Sequence, residues 1–202
     1  TGLASSRSKV FESLPTAGLP PLLRDWGDFE DFMETLLEAE CISSIREVWW
    51  DVRPHPDFGT VELRLCDAAP TIRETIAIAA LAQSLVARLA ERYEQGDLPP
   101  LPRDWTIREN RWLAARHGVD AKLIVDDRGR REPAGDILAR LVAELRPTAA
   151  RIGASEELDD LLELWRIGPS YVRQRRIIEA GGSYRDVVDS LITELQTDQP
   201  QR

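Results

Sequence analysis

Glu62 and Arg64 stand two apart in Thr60-Val-Glu-Leu-Arg-Leu-Cys-Asp67, where Val61, Leu63 and Leu65 alternate with them. Successive side chains of a strand point to opposite faces, so the alternation puts the carboxylate and the guanidinium on one side and the three apolar residues on the other. Side by side, such a pair suits a metal-phosphate, the carboxylate taking the cation and the guanidinium the anion. The competing reading is the solvated polar face of a two-layer sheet. Cys66 falls on the same polar side and invites a nucleophile reading, but a free cysteine more often acts as a small buried hydrophobe.

The preceding Arg46-Glu-Val-Trp-Trp-Asp-Val-Arg53 alternates in the same way, with Val48, Trp50 and Val52 opposite Glu47, Trp49, Asp51 and Arg53. Pro54-His-Pro-Asp-Phe-Gly59 between the two runs holds the Pro and Gly a reversal needs, which predicts an antiparallel hairpin. A tight connection brings Asp51 near Glu62, and like charges facing one another call for a cation between them: Arg53, Arg64 or a divalent ion. His55, in the connection between two prolines, is expected to be exposed. His117 before Gly118 is expected only to satisfy a helix C-terminus.

These strands need helices to support them, and the rest of the chain is helical in pattern. Thr71-Ile-Arg-Glu74 reads as a capping box opening one long, largely buried helix with Ile72, Ile76, Ala79, Ala80, Gln83, Val86 and Leu89 as its stripe, stopping at Gly96. After the proline-rich 97–103, Thr106-Ile-Arg-Glu109 repeats the pattern and opens a helix to about Arg116, with Asn110 beside its Glu109/Trp112/Arg116 face. Lys122 to Val125 and 130–132 suggest a small hairpin around Asp126-Asp-Arg-Gly129. Helices are predicted over 134–152, from Ser155 to about Arg166, from Tyr171 to about Ala180, and from Ser183 with Val187, Val188, Leu191, Ile192 and Leu195 as its stripe; a frayed tail begins at Gln196.

The 202 residues, 43% hydrophobic and 30% charged, suit one soluble domain, with 1–130 as sheet and site and 131–202 as a helical part. A net charge of -9 argues against nonspecific nucleic-acid binding. Two cysteines and no long apolar run point to a reducing cytoplasm and away from a membrane, and no zinc spacing is present. The opening Thr1 suggests a processed or truncated product.

Five blocks in order, Thr1-Gly-Leu-Ala-Ser-Ser-Arg7, Leu14-Pro-Thr-Ala-Gly-Leu-Pro-Pro21, Trp49-Trp-Asp-Val-Arg-Pro54, Phe58-Gly-Thr-Val-Glu-Leu-Arg-Leu-Cys-Asp67 and Glu109-Asn-Arg-Trp-Leu-Ala-Ala-Arg-His-Gly118, resemble the carboxylate-amine ligases of the glutamate-cysteine ligase type 2 family. The resemblance implies an α+β fold, an antiparallel glutamine-synthetase-like catalytic sheet packed with helices, of which this chain would be the C-terminal portion. It implies ATP and Mg2+ as cofactors, glutamate and a small amine such as cysteine as substrates, and a γ-glutamyl amide made through an acyl phosphate. By the same resemblance Glu62 is a magnesium ligand, Arg64 contacts the transferred phosphate or the substrate carboxylate, Arg53 on the same face of the partner strand is a second anion contact, Arg7 holds a substrate carboxylate, and Asn110 and Arg116 line the site or brace it. A homodimer would suit the family and the long apolar helix. The alternative is a noncatalytic member that binds a nucleotide or a partner.

Overall fold

The computed structural model describes residues 2–201; Thr1, which opens the first of the five blocks, lies outside them. The fold is α+β. Residues Ser5–Asp67 form one compact unit, and Ala68 onward, with Gly2–Ala4, form a second.

The first unit begins with α1 (Ser6–Phe11), where the Ser5 hydroxyl accepts from the Ser8 amide, and continues through β1 (Ala17–Gly18) to α2 (Trp26–Glu38), capped by the Asp25 side chain. Then come β2 (Trp49–Trp50), β3 (Val52–His55) and β4 (Thr60–Leu63). β1 and β2 pair in parallel, Ala17 opposite Trp49, whereas β3 and β4 form the antiparallel hairpin, Arg53 opposite Glu62. The reversal is a 3-10 turn over Pro56–Phe58 closed by Gly59 at φ +59°, a left-handed conformation open to glycine. Phe29, Ile42, Val48 and Trp50 form the core, with the Trp50 ring 4.8 Å from that of Phe32.

The hairpin departs from the sequence pattern in three ways. β4 ends at Leu63, and β3 starts only at Val52, because the chain changes partner at Asp51: β2 belongs with β1 and β3 with β4. The register sets Arg53, not Asp51, across from Glu62, while the Asp51 carbonyl accepts from the Arg64 amide at 2.8 Å. Burial is also inverted. Val52, Val61 and Leu63 are exposed, while Arg53 and His55 on the polar face retain only 2% and 6% of their surface.

In the second unit, α3 (Ile72–Glu94), α5 (Ala134–Ile152) and α6 (Ser155–Ile167) enclose a core of Ala80, Val142, Leu145, Ala149, Ala154 and Leu158. α4 (Asp104–His117) leads to the hairpin of β5 (Lys122–Ile124) and β6 (Arg131–Pro133), whose turn is pinned by the Asp126 carboxylate accepting from the Arg128 and Arg130 amides. α7 (Ser170–Glu179) and α8 (Tyr184–Thr197) follow, α8 opening at the predicted Ser183 with a capping box of Ser183 and Asp186.

Four helix expectations are corrected. α3 buries Ala77, Ala80 and Ser84, small residues that let α5 and α6 come close, and leaves Ile72, Ile76, Val86 and Leu89 exposed. Thr71 caps α3, yet the Glu74 carboxylate turns to the Thr71 hydroxyl and to Arg173. α4 starts at Asp104, ahead of Thr106, so Thr106 is a buried first-turn residue and no cap. α8 buries Val187 and Glu194 while Val188, Ile192 and Leu195 are exposed, and the tail is tied back: Asp198 accepts from the Arg73 amide at 2.9 Å, and Glu194 accepts from the Gln201 amide at 2.8 Å. No described helix is long and apolar enough to cross a membrane.

Candidate functional site

The hairpin register delivers Arg53, His55, Glu62 and Arg64 to one face, and these four with Arg46 line a cleft of about 530 Å³. Arg53 is anchored from below: its Nη1 donates to the carbonyls of Ile45 at 2.6 Å and Val48 at 2.9 Å, and its Nη2 donates to Glu62 Oε2. Arg64 Nη2 meets the other Glu62 oxygen at 2.8 Å. Glu62 is therefore gripped from both sides, by Arg53 across the hairpin and by Arg64 two residues along its own strand, and the facing of Asp51 and Glu62 that called for a cation between them does not occur.

Three polar atoms of this face are buried without a hydrogen-bond partner: Arg53 Nε, Arg64 Nε and His55 Nδ1. Buried donors are ordinarily satisfied, because leaving one unpaired costs its desolvation. Three guanidiniums against one carboxylate make the cleft cationic within a chain of net charge -9, a charge balance that suits an anion. His55 was missed because the reversal was expected to begin at Pro54. It belongs to β3, where the alternation Arg53-x-His55, carried two residues further, would have found it.

The other predicted residues are not among those that line the cleft. Arg7, exposed in the first turn of α1, stands over the Phe11 ring with its guanidinium carbon 5.2 Å from the centroid, while Ser5 beside it donates to Asp67 at 3.1 Å. Asn110 on α4 clamps β5, donating to the Ile124 carbonyl at 2.9 Å and accepting from its amide at 2.7 Å. Arg116 donates to the Gly2 carbonyl. Cys66, expected to be buried, is exposed, yet partial burial pushes its thiol up and the nearby Arg7 only partly offsets this, which disfavours a thiolate.

The fold thus carries a cationic cleft on an antiparallel hairpin, the class of site that receives phosphates or carboxylates. The model of glutamate-cysteine ligase family 2 matches residues 1–190, and the chain belongs to that family. It is 54% identical over 201 residues to a protein of Frankia casuarinae named "Putative glutamate--cysteine ligase 2-1", covering 99% of this chain and 53% of that one. Proteins of Thermobifida fusca and Bdellovibrio bacteriovorus, each named "Putative glutamate--cysteine ligase 2", are 52% and 40% identical, over 99% and 98% of this chain. The chain spans about half the length of the curated relatives it matches.

ATP and magnesium, implied by the family resemblance, fit these residues unequally. The unpartnered guanidinium and imidazole nitrogens suit phosphate oxygens. A magnesium ion needs several oxygens in octahedral array, whereas Glu62 is the one carboxylate of the cleft and both its oxygens are held by arginine. Among the described residues no group of three or more His, Cys, Asp or Glu is placed to hold a metal. The described residues of the cleft thus offer donors suited to an anion and too few free oxygens to hold a metal by themselves.

Proposed function

We propose that the protein is an ATP-dependent carboxylate-amine ligase that joins the side-chain carboxylate of glutamate to a small amine such as cysteine. In this reaction a carboxylate oxygen attacks the terminal phosphorus of ATP as the bond to ADP breaks. The amine nitrogen then attacks the acyl carbon, loses a proton, and expels phosphate. Both steps gather negative charge at one place, so positioned cations lower the barrier without a protein nucleophile. Arg64 supplies the guanidinium that meets the transferred phosphoryl group. Arg53, fixed by two carbonyls, supplies a rigid one, and Glu62 keeps the two apart and aimed. Arg7 is assigned the glutamate carboxylate, and Asn110 and Arg116 act by bracing backbone.

The observation that carries this reading is the pair of buried, unpartnered guanidinium Nε atoms in a cationic cleft. One observation favours a noncatalytic nucleotide binder instead: both Glu62 oxygens are paired with arginines, which leaves the cleft's carboxylate no free oxygen for a metal. ADP release from ATP and magnesium, measured on the whole protein with glutamate and with or without cysteine, separates the two. The ligase reading expects release that needs glutamate and rises with the amine. Tight ATP binding without turnover would leave only the binder.

A further inference from the structure

His55 is a buried imidazole that the reaction above does not use. It keeps 6% of its surface, lines the cleft with Arg53, Glu62 and Arg64, and its ring centroid lies 4.4 Å from that of Phe58, tilted by 32°. The ring contact explains why an aromatic side chain sits there. It does not explain a nitrogen, since leucine or phenylalanine would fill the same space without burying a polar atom that lacks a partner. Among the three unpartnered nitrogens, this is the one whose side chain makes no ion pair in the described structure. Arg53 and Arg64 are each held by Glu62, whereas His55 stands ready on the same face.

We propose that His55 is a substrate-contacting residue: Nδ1–H donates a hydrogen bond to the oxyanion that Arg53 and Arg64 receive, a phosphate oxygen of ATP or the carboxylate of glutamate. This rests on the ligase reading and adds a third, directional contact to it. A guanidinium attracts an anion over a wide angle, and an imidazole clamped by Phe58 selects one oxygen of it. Phe58 is itself largely exposed on the 3-10 turn, so the turn Pro56–Phe58 sets the direction of that contact.

Two substitutions separate the nitrogen from the ring. His55→Phe keeps an aromatic ring against Phe58 and removes the donor, while His55→Asn keeps an N–H close to the place of Nδ1 and removes the ring. On the whole protein, with turnover and calorimetric ATP affinity both measured, His55→Phe is expected to raise the KM for one substrate by roughly tenfold to a hundredfold, the worth of a hydrogen bond to a charged group. His55→Asn is expected to stay within a few-fold of wild type, and the melting temperature of the Phe variant is expected to hold. The substrate whose KM moves identifies the oxyanion, ATP or glutamate. Wild-type behaviour of His55→Phe, or a His55→Asn defect as large as that of His55→Phe, would overturn the proposal. If the wild type binds ATP but shows no glutamate-dependent turnover, the ligase reading fails. The His55 contact is then decided by ATP affinity alone, and equal affinity in His55→Phe and wild type would sink it.

Discussion

Arg64 is the residue whose removal tells most, because its guanidinium lines the cleft, pairs with Glu62, and keeps a buried Nε without a hydrogen-bond partner. Arg64→Ala is expected to lower kcat by about a hundredfold to a thousandfold, the usual cost of removing one positioned donor to developing charge, while the fold persists because the strand is held by backbone. Circular dichroism beside steady-state kinetics checks this, and near-normal turnover would remove Arg64 from the site. Glu62→Gln is expected to reduce turnover by freeing both arginines from their shared anchor. Cys66→Ser is expected to be silent, as burial holds the thiol protonated and the chemistry needs no thiolate. At this scale much was readable in advance. The period-two spacing of Glu62 and Arg64 with Arg53 announced a shared face, and the structure brings all three together. The partner of Glu62 was not readable, because register follows from the length and geometry of the turn, and the 3-10 turn took only Pro56–Phe58.

The elements of the second unit are joined by a buried charge cluster that no local pattern announced. Arg173 on α7 donates to both oxygens of Glu74 on α3 and of Glu194 on α8, and to the Gly168 carbonyl, with all three charged side chains nearly inaccessible. A helix-period reading ranks positions by hydrophobicity, so it assigned the stripe of α8 to Val187, Val188, Leu191, Ile192 and Leu195, of which Val187 is buried, and passed over Glu194. Arg173→Met strands two buried carboxylates and is expected to cost about 3–5 kcal/mol, read as a lower melting temperature. Replacing Glu74, Arg173 and Glu194 together by apolar residues is expected to recover most of that loss, and failure to do so would show that the cluster itself specifies the packing. The junction after α4 makes a second demand. Gly118 sits at φ +57°, and a Cβ there would lie 2.1 Å from the Tyr171 hydroxyl, which accepts from the Val119 amide at 2.9 Å. Gly118→Ala is expected to destabilise by about 2 kcal/mol or more through strain and displacement of Tyr171. Helix termini were legible where a side chain caps them, as at Thr71 and Ser183, and illegible at Arg103, which makes no side-chain cap bond.

Taken whole, the molecule holds depressed carboxylates in both units, so its acid behaviour is predictable in sign. Asp28 is lowered from 3.8 to about 2, first by its side-chain hydrogen bond with Arg24, and the Arg73 hydrogen bond lowers Asp160. A carboxylate whose folded value lies below its unfolded value contributes stability that is fully present above about pH 4 and is lost as pH falls through the depressed value. Unfolding monitored from pH 5 to pH 2 is expected to show declining stability, and Asp160→Asn is expected to flatten the acid limb; an unchanged slope would mean that Arg73 does not hold Asp160 in solution. The exposed side of the hairpin has a separate consequence. Val52, Val61 and Leu63 present an apolar ribbon on a two-stranded sheet whose outer edges pair with no further strand among the described residues. Such a ribbon is a template for strand addition. In light scattering this 202-residue chain is expected to grow in size with concentration at a temperature well below its melting point, and a Lys in place of Val61 to delay that growth. Colloidal behaviour, more than thermal strength, would then set the conditions under which the chain can be handled.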